Sequence, residues 1–243
     1  MKTIINYSPN FDINKRKKKE IKFIIFHYTG MKKEIDAINR LTNKKTKVSS
    51  HYLIKNNGEI LNLVPDLYIS WHAGNSSWKN YKSLNKHSLG IEISNPGHDH
   101  KYKKFSQQQI YSVFRLSNFL IKKYNIKSKF ILGHSDISPD RKKDPGEKFP
   151  WYFLSKRGIG IWHNLNKKKL IKDRNIKINE PDKNIFLKNL SKIGYNQSLS
   201  KKNPNLIKYN TIAFQRRFRQ EQINGVIDKE CLIISMNLVK KFQ

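Results

Sequence analysis

The fold this sequence predicts is an α/β domain with a mixed central β-sheet flanked by helices, followed by a small three-helix domain. Three observations predict it. Short apolar runs rich in isoleucine and phenylalanine alternate with helix-spaced segments up to about residue 165. Polar residues capable of chemistry stand at the ends of those runs. From about residue 164 the composition shifts to Lys, Asn and Asp, and three helix-sized segments follow. A chain of 243 residues has room for two such units, and with 37% hydrophobic and 12% aromatic residues it can bury a core.

Residues 21–27 (IKFIIFH) read as a buried strand with His27 at its carboxyl end. A helix over about 33–41 should follow. Residues 50–55 and 60–64 flank Asn56-Asn57-Gly58-Glu59 and read as a hairpin with a tight polar turn. A further strand is expected over 89–94. Ser106 with Gln109 three positions on forms a capping box. Behind it Ile110, Val113, Phe114, Ser117 and Leu120 recur at helical spacing, giving a helix that ends near Tyr124. Residues 129–132 form the next short strand and deliver Gly133 and His134. Glu180-Pro181-Asp182 is expected to interrupt any helix, so 166–181 reads as a linker between a main domain, 1–165, and a helical domain, 182–243. In the latter, helices are expected over 184–193, 210–220 and 228–240, with Phe214, Phe218 and Leu238 in the core.

A formal net charge of +31 invites a nucleic-acid reading. The lysines, however, run from Lys2 to Lys241 without a stacking motif or recognition helix, so no specific nucleic-acid partner is expected. Cys231 is the single cysteine, which excludes an internal disulfide, and its apolar neighbours mark it as a core residue. Residues 1–20 lack the apolar run of a secretory signal, and no stretch approaches the roughly 18 apolar residues of a membrane span. As written the chain reads as cytoplasmic; a periplasmic or envelope location would follow if its start is trimmed. A monomer is expected.

His27 ends one apolar strand, His134 follows another, and Asp144 lies in the loop that comes next. Two imidazoles and a carboxylate with a fourth position open to water is the donor pattern of a catalytic zinc site, although ligands from distant strands leave no short signature. Taken alone, each of the three could equally be an ordinary satisfied polar residue.

The segments FHYTG (26–30), SSHYLI (49–54), SWHAG (70–74), SLGIEISNPG (88–97) and LGHSDISPDRKKDPGEKFPW (132–151) resemble those of the type 2 N-acetylmuramoyl-L-alanine amidases. They occur in the family's order and spacing over about 21–162. AFQRRFR (213–219) and the following 225–228 resemble the three-helix peptidoglycan-binding module attached to some of these enzymes. The resemblance implies that His27, His134 and Asp144 hold zinc, that Glu92 is the catalytic glutamate and that Lys142 is the active-site lysine. The reaction it implies is hydrolysis of the amide between N-acetylmuramic acid and L-alanine in peptidoglycan or (anhydro-)muropeptides.

The bland alternatives are a strand glutamate paired to a lysine for Glu92 and a solvated cation for Lys142. Trp71, His72 and Ala73 are expected to border the substrate, the alternative being a loop anchored by a buried tryptophan. Asn95 is expected to contact the peptide, and Tyr28 to line the cleft or simply pack beside His27. His51 reads as a structural histidine. Two other functions compete: a non-catalytic peptidoglycan-binding protein on the same fold, disfavoured by the complete ligand set, and a basic nucleic-acid-binding protein.

Overall fold

The computed structural model describes residues 2–196 and 205–242; of the expected helical domain, 197–204 and 243 lie outside the described residues. The elements in chain order are β1 (Ile4–Ile5), β2 (Phe11–Asp12), β3 (Phe23–Tyr28), α1 (Glu34–Thr42), β4 (Tyr52–Ile54), β5 (Ile60–Asn62), β6 (Ile69–Ser70), β7 (Ser77–Trp78), β8 (Tyr81–Lys82) and β9 (Ser88–Ile93). Then come α2 (Gln107–Tyr124), β10 (Ile131–Gly133), α3 (His134–Ile137), α4 (Trp151–Ser155), α5 (Lys167–Asp173), α6 (Glu180–Ile193), α7 (Leu206–Phe218) and α8 (Lys229–Phe242).

Six strands form one mixed sheet in the order β1-β5-β4-β9-β3-β10, antiparallel only at the β4–β5 hairpin. Its parallel centre is buried on both faces, which is why β3 reads as an unbroken apolar run. Alternation along β3 assigns those faces. Ile24 and Phe26 pack with the α2 stripe Val113, Leu116 and Leu120. Phe23 and Ile25 pack with Phe186, Leu190, Phe214 and Leu238 of the C-terminal helices. α2 starts at the expected capping box: Ser106 Oγ accepts from the Gln109 N–H at 3.1 Å, and Gln109 Oε1 accepts from the Ser106 N–H at 3.0 Å. β10 begins two residues later than the sequence predicts, because 128–130 close a 3₁₀ turn first.

The expected linker is not one. Within 166–181, α5 is capped by Asn166, whose side chain accepts from the Lys168 and Lys169 N–H groups, and it buries Leu170. Glu180-Pro181-Asp182 starts a helix instead of interrupting one. Asn179 caps α6, and Pro181 sits in the first turn, where its missing N–H has no partner to lose. Nor do the C-terminal helices keep a core to themselves, since the cluster holding Phe186, Leu190, Phe214, Phe218 and Leu238 also holds Phe23, Ile25 and Leu132 of the sheet. Phe214, Phe218, Leu238 and Cys231 are buried, as expected.

The attachment is also ionic. Arg217 of α7 forms a buried salt bridge with Asp136 of α3, donates to the Ile131 carbonyl at 3.0 Å and lies 4.2 Å from the Trp151 ring centroid. Tyr195 donates to the other Asp136 oxygen at 2.7 Å. Removing one partner leaves the other charged and dry, so Arg217→Ala should lower stability by about 3–5 kcal/mol. Chemical denaturation checks this against Arg115→Ala on the exposed face of α2, expected to change stability by less than about 0.5 kcal/mol.

Candidate metal centre and catalytic cleft

The site lies at the carboxyl ends of the parallel strands, where open α/β sheets place their ligands. His27 and Glu92 are register partners on β3 and β9, so their side chains rise side by side from one face. β10 ends at Gly133, opposite Phe26, and hands His134 to the first position of α3. Gly133 has no room for a Cβ, which would lie 2.6 Å from Pro145 Cδ. That close approach brings Asp144 back over the end of the strand, where the Ser135 N–H donates to the Asp144 carbonyl at 2.8 Å.

His27 Nδ1 lies 2.9 Å from His134 Nδ1, and each stands 3.0 Å from Asp144 Oδ2. The bonds around the two rings determine which nitrogens carry protons. Ser88 Oγ donates to the Leu84 carbonyl at 2.6 Å, so it accepts from His72 Nε2 at 3.1 Å. His72 Nδ1 is then bare and accepts from His27 Nε2 at 3.0 Å. His134 Nε2 donates to the Ala73 carbonyl at 3.2 Å. Each ring's single proton therefore points away from the centre, and lone pairs alone, two from nitrogen and one from a carboxylate, converge there. Such a cluster is repulsive unless a cation occupies its focus. Among the described residues it is a donor group that could hold a metal ion.

The protonation states agree. Burial, reinforced by His134, lowers His27 to about 4 despite Asp144. His27 is therefore in the deprotonated form that metal binding requires.

A cleft of about 690 Å³ opens over these residues and is also lined by Tyr28, Trp71, His72, Glu92 and Lys142. Glu92 is half-buried, and its shielded Oε2 has no hydrogen-bond partner among the described residues. Burial, with Asp144 adding to it and Lys142 opposing, pushes this carboxyl up to about 8. A dication beside it would act in the opposite direction. Glu92 is thus a carboxyl poised to gain or lose a proton near neutrality.

The remaining predicted residues divide. Trp71 lines the cleft and is anchored by Nε1–H donating to Asp12 Oδ1 at 2.8 Å. Tyr28 lines it beside His27. His72 borders the cleft, but its ring lies behind His27 with both nitrogens engaged. Gly90 makes that possible, since a Cβ there would sit 2.5 Å from His72 Cγ. Ala73 is fully buried and contributes its carbonyl to His134 and Arg141. Asn95 does not line the cleft: its amide donates to the Lys103 carbonyl at 2.9 Å, and its backbone is paired with Thr29 and Gly30. It fixes the FHYTG turn to β9. His51 lies one layer deeper, its Nδ1 accepting from the Gly90 N–H at 3.0 Å.

Sequence reasoning missed Arg40, Asp99, His100, Arg141 and Lys143, all of which line the cleft. The run of three cations at 141–143 was a signal for two of them; nothing marked Arg40.

Residues 17–147 match the family described as N-acetylmuramoyl-L-alanine amidase. The chain belongs to that family. It is 33% identical over 235 residues to N-acetylmuramoyl-L-alanine amidase AmiD of Escherichia coli, covering 91% of this chain and 83% of that protein. To the E. coli 1,6-anhydro-N-acetylmuramyl-L-alanine amidase AmpD it is 42% identical over 106 residues, 43% of this chain and 55% of that protein. The solved structure of E. coli AmiD with the substrate anhydro-N-acetylmuramic acid-L-Ala-D-gamma-Glu-L-Lys superposes with a TM-score of 0.79 at 32% identity, over 91% of this chain and 90% of that one. AmpDh3 of Pseudomonas aeruginosa, in complex with anhydromuramic pentapeptide, gives 0.80 at 28% identity, over 96% and 97%. The chain is therefore an amidase with the mixed α/β fold of this family, and the similarity runs through the C-terminal helices.

Because Gly90 makes room for the ring that orients His27, Gly90→Ala should weaken metal binding about 10- to 100-fold while the fold persists. Competition with a fluorescent chelator measures this, and near-normal affinity would refute the orienting role.

Proposed function

We propose that this amidase is a zinc enzyme hydrolysing the amide between N-acetylmuramic acid and L-alanine in muropeptides, including anhydro-muropeptides. The observation that carries the metal is the convergence of three bare lone pairs on two imidazoles and a carboxylate, the donor set of catalytic zinc. The substrate is supported by the muropeptide complexes of AmiD and AmpDh3. The assignment of site residues belongs to the same proposal, with His27, His134 and Asp144 as ligands and Glu92 and Lys142 as catalytic groups.

Zinc held there supplies a Lewis acid beside the scissile carbonyl. Glu92 takes a proton from the attacking water and passes it to the departing alanine nitrogen, which cannot leave as an anion. Burial strengthens Glu92 as a base, and the charge of a bound metal would counter that rise and keep it ionised. Lys142 balances the negative charge that gathers on the carbonyl oxygen as the tetrahedral species forms. Trp71 and Tyr28 line the cleft and offer aromatic surface to the sugar or the stem peptide.

The chain acts as a monomer in this proposal, and 182–243 remains a candidate polymer contact on the strength of its resemblance. Within AFQRRFR, however, Phe214, Arg217, Phe218 and Arg219 are buried, so any such contact falls on other side chains. Comparing turnover of whole sacculi with that of soluble anhydro-muropeptide tests this part. No helix among the described residues is long and apolar enough to cross a membrane.

Glu92→Gln should retain one zinc per chain and lose about 100- to 10,000-fold in turnover. Lys142→Ala should lose about 100-fold or more. Mass spectrometry of the released stem peptide, with zinc content measured in parallel, decides both; intact substrate with wild-type protein would overturn the amidase reading. His27→Ala should lose the zinc itself.

A further inference from the structure

Four residues form a continuous polar file from the C-terminal helices to the cleft. Arg216, on α7, is 9% exposed, and its Nε lies 3.6 Å from Glu147 Oε2. Glu147 follows the ligand Asp144 by three residues and accepts from His98 Nε2 at 3.0 and 3.2 Å. With that nitrogen donating to a carboxylate, His98 Nδ1 is free to accept the Tyr28 O–H at 2.8 Å. Tyr28 is the residue after His27 and lines the cleft.

The surroundings leave this file little freedom. Tyr102 stacks on the His98 ring with centroids 4.4 Å apart, and its hydroxyl donates to the Pro145 carbonyl at 2.7 Å. Gly97, at φ +71°, lets the loop carrying His98 run against the Tyr28 ring; a Cβ there would stand 2.6 Å from Tyr28 Cε2. Glu147 is held below the usual carboxylate range: burial raises it, but the hydrogen bond from His98 and a backbone N–H, with a smaller contribution from Arg216, outweigh burial. It stays ionised, as a link between a guanidinium and an imidazole N–H must.

We infer that Arg216 and His98 are positioning residues for the substrate cleft: through Glu147 they lock the Tyr28 ring, so that α7 sets the wall beside the metal ligands. This assigns the C-terminal helices a role in recognising the muropeptide, and it rests on the proposed function for the identity of that substrate. Tyr28 stands beside the reacting centre and takes no part in proton transfer, so loosening it costs binding more than chemistry.

The test is steady-state kinetics of the full chain loaded with zinc on soluble anhydro-muropeptide. Tyr28→Phe, His98→Gln and Arg216→Gln should each raise KM about three- to tenfold, the equivalent of one lost hydrogen bond or buried ion pair, with kcat changed less than about threefold and zinc content intact. The double variant Tyr28→Phe/Arg216→Gln should be no worse than Tyr28→Phe alone, because the second change breaks a file already cut. A merely structural Arg216 would give effects that multiply. Multiplying effects, or an unchanged KM for Arg216→Gln, overturn the inference. If wild-type protein leaves the muropeptide intact, the proposed function has failed instead. The file is then read by nitrogen NMR of His98: signals that move in Arg216→Gln support it, and signals that do not move overturn it.

Discussion

Three lone pairs within 3.0 Å of one another are a liability in a dry site, and the architecture around His27, His134 and Asp144 serves to keep them there. A stray proton on either Nδ1 would relieve the repulsion and block the metal. Two acceptors prevent this by holding the rings' protons on the far side: the Ala73 carbonyl for His134, and the chain from His72 through Ser88 to the Leu84 carbonyl for His27. The parallel sheet makes such a chain constructible, because adjacent strand ends at fixed register place His27, Gly90 and Glu92 on one face within reach of one loop.

That arrangement explains which site residues could be read from the sequence. His27, His134 and Glu92 end or stand in apolar runs, and their chemistry is written in their own identities. Asp144 carries no local signal, and only the motif around it marks it. His72 is different in kind: as part of SWHAG it looks like a cleft residue, yet its job follows from Gly90, eighteen positions away, whose missing side chain leaves a hole the size of an imidazole. Asn95 misleads in the opposite direction. A polar residue just beyond a catalytic strand invites a substrate role, but its amide and backbone are already engaged by Lys103, Thr29 and Gly30.

The sheet, the hairpin and α2 were legible because each is specified locally, by apolar runs, an Asn-Asn-Gly turn and a capping box. The C-terminal boundary was not. Glu180-Pro181-Asp182 carries both a helix breaker and a helix opener, and only Asn179 in front of it decides between them. The absence of apolar periodicity over 166–181 likewise hid α5, whose one buried apolar residue is Leu170 and whose Lys167 and Asp173 pair with Glu221 and Lys229. Propensity cannot detect a helix stabilised mainly by tertiary contacts.

The same reasoning bears on whether the C-terminal helices form a separable module. An independent three-helix unit of about sixty residues would have to close its own core, and the sheet it left behind would have to keep a polar outer face. Neither holds. Phe23, Ile25 and Leu132 on the sheet and Phe186, Phe214 and Leu238 on the helices are complementary halves of one cluster. Separation would expose an apolar face on both pieces. It would also strand Asp136, two residues beyond His134, without Arg217 and Tyr195. The helices are therefore the second layer of the catalytic fold, and whatever they contribute to recognition, they first hold in place the segment that carries His134.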